Sequence, residues 1–302
     1  MNWNLQQLDI NNAFLHGYID EKLYMQPPPG CSKALPGQVC KLKRSLYGLR
    51  HAVAYVDDLL VTGNNLQLIL EVKQALHKAY TIKDLGDLKY FLGIEVTRSN
   101  SGILLNHRKY ILDLLSSTKM ENCKVAPFPF PKGLKLSTIE GPALVDFEIY
   151  RRVVGKLLYL NMTRPDISYD VQQLSQFLSE PRTPHYVVAL HVLKYLKGTL
   201  NHGLFYASNN SLLLRAYNDA DWGTRAYTGR SLTSYCVFLG DSLISWKTKK
   251  QKVVSKSSTE AEYRSMSQTT SEIVWIEVLL QDLLVYVPTP ITLFCTTSQL
   301  NT

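Results

Sequence analysis

Two adjacent carboxylates interrupt an otherwise apolar, strand-like run, Ala54-Tyr55-Val56-Asp57-Asp58-Leu59-Leu60-Val61. Bare carboxylates about 4 Å apart repel by roughly 1 kcal/mol in water, and by several times that when partly buried. The run therefore does not fit the middle of a core strand. It ends at a solvated hairpin tip, or it holds a cation. Asp9 closes a second short run, Gln7-Leu8-Asp9-Ile10. A fold that converges three carboxylates needs a compensating ion, and magnesium, which takes oxygen ligands, suits them. Two such ions clamping attacking and leaving oxygens perform nucleotidyl transfer. From the residues alone, a solvated Asp-Asp turn and a metal site at Asp9, Asp57 and Asp58 both stand.

The tail carries a second acidic constellation. Residues 212–217, 233–239 and 243–247 read as strands, the last two joined by the turn Gly240-Asp241. Ser257-Ser258-Thr259-Glu260 has capping-box spacing, with Ser257 as N-cap and Glu260 at N3, and predicts a helix running to 283. Residues 291–295 read as a closing strand. In a β-β-β-α-β order the helix packs across the first strand, which brings Asp219 and Glu262 within reach of each other. Such a pair suits two-metal hydrolysis of phosphodiesters. Glu262 also fits as an acid favoured by the helix dipole, and Asp221 and Glu260 compete with the pair by composition. Trp246-Lys247-Thr248-Lys249-Lys250-Gln251-Lys252 either grips a phosphate backbone or guards a solvated sheet edge.

Between these regions, periodicity predicts a helix at 66–80 and a hairpin from 90–96 and 102–105 around Ser99-Asn100-Ser101. Further helices are expected at 107–116, 147–162, 165–179 and 183–198, with Pro165 in a first turn where a missing N–H costs little. The Pro- and Gly-rich residues 124–146 read as a linker. At 302 residues and 45% hydrophobic, the chain has material for two or three compact units. A net charge of +8 points to an anionic partner, of which nucleic acid is the commonest. Five scattered cysteines without zinc spacing read as reduced thiols, and hence as an intracellular protein, cytoplasmic or nuclear. No apolar run approaches the roughly 20 residues a bilayer requires, and the N-terminus lacks the pattern of a signal peptide. The histidines, including His185 and His191, are too dispersed for a metal site and are expected on helix surfaces.

Taken in order, these segments resemble the Pol polyprotein of copia-type long-terminal-repeat retrotransposons. Residues 7–17, QLDINNAFLHG, are similar to the first catalytic motif of the reverse transcriptase. Ser45-Leu46-Tyr47-Gly48-Leu49 is similar to the segment contacting template and nucleotide, Tyr55-Val56-Asp57-Asp58 to the YVDD box, and residues 90–95 to the primer-gripping hairpin. Thr163-Arg164-Pro165-Asp166 resembles the helical connection to ribonuclease H. Residues 217–222 and 257–263 resemble the first two acidic motifs of that nuclease.

The resemblance implies an α+β chain: a partial palm and thumb over 1–123, a linker over 124–146, a helical connection over 147–205, and a truncated ribonuclease H-like α/β domain over 206–302. Asp9, Asp57 and Asp58 would be polymerase ligands of Mg2+, and Asp219 and Glu262 nuclease ligands. Lys43, Arg44, Leu46, Tyr47 and Gly48, with Lys247, Lys249 and Lys250, would contact nucleic acid, whether RNA template, DNA primer or RNA–DNA hybrid.

Departures from the family pattern shape the expectation further. The chain starts just before the first motif, predicting that most of the fingers is absent. Between His51-Ala52 and Val53-Ala54 the family carries a palm helix and the strand leading into YVDD, which are missing here. Thr296-Thr297 stands where the family has Asp-Asn, and the chain ends before the last acidic motif. Losing a helix and strand removes core and exposes an edge. Losing a ligating carboxylate removes transition-state stabilisation at a tenfold rate loss per roughly 1.4 kcal/mol. The expectation is a remnant that neither polymerises DNA nor cleaves hybrid by itself, with a non-catalytic nucleic-acid-binding protein as the alternative.

Overall fold

The computed structural model describes residues 4–10, 24–25, 40–41, 58–63, 65–79, 82–131, 133–134, 136–223 and 229–295. Lys43, Arg44, Leu46, Tyr47, Gly48, Asp57, Thr296 and Thr297 lie outside the described residues. The chain is mixed α+β and divides into two compact units, Met1–Lys89 and Tyr90–Thr302.

In the first unit, β1 (Asn4–Ile10) is the middle strand of an antiparallel sheet. A two-residue ladder joins β2 (Tyr24–Met25) to β3 (Cys40–Lys41). β4 (Asp58–Gly63) and β5 (Ile82–Asp87) flank β1, with α1 (Leu66–Ala79) between them in sequence. Asn65 caps α1 by accepting from the Gln67 N–H at 3.0 Å, which supplies an otherwise orphaned helix donor. α1 buries Ile69 and also Lys73, whose Nζ reaches Asp84 on β5 at 2.7 Å. Leu8 on β1 is fully buried.

The second unit opens with β6 (Tyr90–Phe91), β7 (Ile94–Ser99) and β8 (Gly102–Asn106), the expected hairpin. Four helices follow: α2 (Arg108–Ser117), α3 (Phe147–Leu160), α4 (Ser168–Leu174) and α5 (Thr183–Gly198). Short 3-10 turns, Pro165–Ile167 and Ser175–Phe177, bracket α4, so the helix expected over 165–179 is broken into three pieces. Ile111, Leu114, Leu157, Val171, Leu174 and Leu193 make the shared core of these helices, and the buried Tyr150 hydroxyl donates to the Leu174 carbonyl at 2.8 Å. β9 (Leu204–Ala207) then returns to pair with β8.

The remaining elements are β10 (Leu214–Asp221), β11 (Leu232–Leu239), β12 (Ser242–Lys250), α6 (Ser258–Asp282) and β13 (Thr292–Cys295). Their sheet has the order β12-β11-β10-β13, with β13 parallel to β10. The β-β-β-α-β order expected of the tail is the order observed.

The described residues of 124–146 form no helix or strand, yet they lie along α5. Ala126 donates its N–H to Lys194 O at 3.3 Å, and the Arg182 guanidinium donates to the carbonyls of Thr138 and Gly141. His185, expected on a helix surface, is fully buried and stacked on Phe177 with centroids 3.8 Å apart. Its Nδ1 accepts from the Arg182 N–H at 3.0 Å and its Nε2 donates to Ser137 O at 2.9 Å, so the ring is neutral and closes the first turn of α5.

Gly102 starts β8 at φ 152°, and an added Cβ would run into the Tyr206 carbonyl and the Phe205 ring of β9. Both obstacles belong to a paired strand that cannot move alone. Gly102→Ala is expected to cost roughly 2–3 kcal/mol, measurable by urea unfolding.

Candidate functional site

β10 buries Leu214, Ala216 and Asn218 and turns Asp219 outward. α6 packs across it, and the Ser265 hydroxyl donates to the Asp219 carbonyl at 2.9 Å, fixing the helix at that level of the strand. At the start of α6, Ser257 Oγ accepts from the Glu260 N–H at 3.1 Å. The reciprocal bond of the capping box is made one residue earlier: Glu260 Oε2 accepts from the Lys256 N–H at 2.8 Å. Glu260 also takes the Arg264 guanidinium at 2.8 Å. The Lys256 N–H first, then Arg264, hold its carboxyl below the ordinary range. Glu260 is thereby occupied on the outer side of the helix.

Glu262 faces the other way. It is 9% exposed, and its Oε2 is buried without a hydrogen-bond partner. Burial pushes its carboxyl up, and so does the charge of Asp219, while the Ala220 N–H pulls it down. The fold therefore brings Glu262 and Asp219 into electrostatic contact. Composition alone did not separate this pair from Asp221 and Glu260. The parallel register of β13 sets Cys295 beside Asn218, with Sγ donating to Asn218 Oδ1 at 2.9 Å. Burial, with Glu262 nearby, pushes the Cys295 thiol up as well.

A buried polar network supports this corner, and no motif or periodicity signals it. Gln251 Nε2 donates to Thr233 Oγ1 at 3.1 Å and to the Ala261 carbonyl at 2.9 Å. Ser255 Oγ donates to Gln251 Oε1, and the Trp222 indole N–H donates to Ser255 O at 3.0 Å. Gln251 thus ties β11 to the first turn of α6, one residue from Glu262. Its position inside a lysine-rich stretch had marked it as surface.

The donor chemistry suits a magnesium ion: two carboxylates, one of them offering a buried oxygen that nothing else satisfies. Among the described residues no group of three or more His, Cys, Asp or Glu side chains is gathered for a metal. In the first unit, the antiparallel register of β1 and β4 places Asp58 directly across from Asp9, while Asp57 lies outside the described residues. The lysines sit on β12, an edge strand: Lys247 and Lys249 are exposed and Lys250 is half-buried. Trp246 is partly buried, and its indole N–H donates to the Asn161 carbonyl at 3.2 Å, so this tryptophan anchors β12 to the helices. No helix among the described residues is long and apolar enough to cross a membrane.

A family model described as reverse transcriptase (RNA-dependent DNA polymerase) matches the chain in two pieces, residues 1–54 and 53–132. The pieces meet where the segment leading into YVDD is missing. The chain is 41% identical to the retrovirus-related Pol polyprotein from transposon RE1 of Arabidopsis thaliana, over 97% of this chain and 23% of that protein. The matched stretch is 332 residues, longer than the 302 residues of the whole chain, so the relative carries segments without a counterpart here. An uncharacterized mitochondrial protein of the same plant is 40% identical over 74% of this chain and 93% of its own length. A transposon Ty5-1 protein of Saccharomyces cerevisiae is 34% identical over 88% of this chain and 100% of its length. The chain spans about a quarter (23%) of the length of the RE1 and RE2 Pol polyproteins of Arabidopsis thaliana. With matches of this extent to proteins of its own size and to Pol polyproteins alike, the chain belongs to the reverse-transcriptase family of copia-type retrotransposon Pol proteins.

Proposed function

We propose that the chain is a catalytically silent remnant of an RNA-directed DNA polymerase joined to a ribonuclease H-like domain. In this reading residues 1–123 derive from palm and thumb, 124–146 from a linker, 147–205 from the helical connection, and 206–302 from the nuclease. The observation that carries it is the meeting of Asp219 on β10 with the buried, unpartnered carboxylate oxygen of Glu262 on α6. The pair would hold Mg2+, and Asp9, Asp57 and Asp58 would be the corresponding polymerase ligands. A bound ion would supply charge neutralisation at a scissile phosphate. Asp219 and Glu262 keep that oxygen-donor character, whereas Thr296-Thr297 offers no carboxylate where the family supplies one.

The test separates binding from turnover. Magnesium at tenfold excess over its dissociation constant stabilises a folded state by about 1.4 kcal/mol, or roughly 3 °C for a unit of this size. That shift is expected in the wild-type chain and should vanish in Glu262→Gln, while an RNA–DNA hybrid stays uncut and a primed RNA template is not extended. Cleavage or extension would overturn the silent reading. An equal shift in Glu262→Gln would overturn the metal pair.

The exposed Lys247 and Lys249 on an edge strand favour a second reading, a non-catalytic binder of RNA template, DNA primer or hybrid. Replacing both lysines by alanine would then lower the slope of log affinity against log salt by about 2, with Asp219→Asn leaving affinity intact.

A further inference from the structure

Over its last turns α6 directs Ile273 and Ile276 into the sheet and leaves Val274, Trp275, Val278 and Leu279 on the solvent side, with Trp275 59% exposed. Positions i, i+1, i+4 and i+5 form one continuous stripe along a helix, and an apolar stripe rimmed by charge marks an interaction surface. The charges carried by this half of α6 have a single sign. From Ser265 to the last residue the sequence contains Glu272, Glu277 and Asp282 and no Lys, Arg or His, although the chain as a whole carries +8. The last turn of α6 has no basic residue, so the negative end of the helix dipole is not offset by the helix itself.

That charge selects among occupants. A second copy laid α6 against α6 would set Glu277 and Asp282 against their own kind, with no cation in that half of the helix. A phosphate backbone or an anionic lipid surface is repelled in the same way. A polypeptide helix that is apolar on one side and flanked by Lys or Arg is attracted, and its cations also meet the carbonyl end of α6. We propose that the Val274–Trp275–Val278–Leu279 face of α6 is a docking site for a basic, amphipathic helix of a partner protein.

A labelled amphipathic peptide of leucine and lysine, with a leucine–glutamate peptide of the same pattern as control, tests this by fluorescence anisotropy on the full chain. The lysine peptide is expected to bind, and to bind less tightly as salt is raised. Trp275→Ala should weaken it roughly tenfold, and Asp282→Lys should weaken it in the same direction. Val278→Ser serves if Trp275→Ala fails to fold, with circular dichroism as the check. Equal binding of both peptides, or unchanged binding to a folded Trp275→Ala variant, would overturn the proposal. A wild-type dimer in sedimentation that Trp275→Ala dissociates would overturn it too, making the face a self-interface.

Discussion

Arg164→Ala is expected to destabilise the Tyr90–Thr302 unit by about 3–5 kcal/mol, the cost of breaking a buried ion pair from one side. The Arg164 side chain is 1% exposed, against 33% for Asp166. Its fork engages both carboxylate oxygens of Asp166, Nε to Oδ1 at 2.9 Å and Nη2 to Oδ2 at 2.6 Å. Nη1 and Nη2 also donate to the carbonyl and hydroxyl of Thr199 at the end of α5. Tyr195 donates its hydroxyl to Asp166 Oδ2 at 2.8 Å. Burial raises the Asp166 carboxyl, but Arg164 and Tyr195 together hold it below its ordinary value. Removing the guanidinium leaves Tyr195 as the remaining side-chain donor to that carboxylate and takes both Arg164 donors from Thr199. Arg164→Lys keeps the charge and loses the fork, so it should recover only part of the loss. A joint replacement of Arg164 by Met and Asp166 by Asn should cost less than Arg164→Ala, because no buried charge is then left alone. Denaturant midpoints at constant slope decide the matter. A loss below about 1 kcal/mol for Arg164→Ala would place the pair among the weak surface bridges.

This pair also shows where sequence reasoning stops. Thr163-Arg164-Pro165-Asp166 was legible as a motif, and Pro165 does open a helical turn. Nothing in the string signals that an arginine there is buried, since arginines are mostly exposed unless paired. The pair itself is local, but its further partner, Thr199 at the end of α5, arrives from 35 residues downstream. Helices were legible because their apolar spacing and caps are local: Asn65, Asp146 and Ser257 each accept from the first turn they precede. β5 and β9 were not, for the opposite reason. Ile82–Asp87 contains a glycine and three charges and becomes a strand by pairing with β1, while Leu204–Ala207 becomes one by pairing with β8, about a hundred residues earlier. Of the acidic site, the residues were legible, but spacing and composition did not choose between Glu260 and Glu262, and only the family resemblance named Glu262. That choice rests on which side of α6 meets the sheet, a tertiary fact.

Asp170→Asn is expected to gain stability over the wild-type chain as pH rises. Asp170 is 4% exposed, and burial, with the charge of Asp166 adding to it, pushes its carboxyl from 3.8 up to about 7. The folded state keeps the proton longer than the unfolded chain does. Its contribution is therefore full below the unfolded value and is lost as pH climbs to the folded one. At about 1.4 kcal/mol per pH unit the loss is on the order of 4 kcal/mol. His107 works in the other sense. It is fully buried, its Nδ1 is 2.5 Å from Thr163 Oγ1, its Nε2 has no partner, and the rings of Tyr110 and Tyr159 meet it edge-on. Burial lowers it from 6.5 to about 4 against the opposing charge of Glu95. Its contribution is full above the unfolded value and is lost as pH falls to the folded one, on the order of 3 kcal/mol. The two slopes share one pH window and oppose each other. Removing Asp170 removes its slope alone, so Asp170→Asn should match wild type in acid and exceed it above neutrality. His107→Gln should lose the histidine contribution, so its stability relative to wild type falls as pH rises through that window. Subtracting wild type at each pH cancels every other titrating group, and a difference that does not vary with pH would show that neither burial penalty acts on folding.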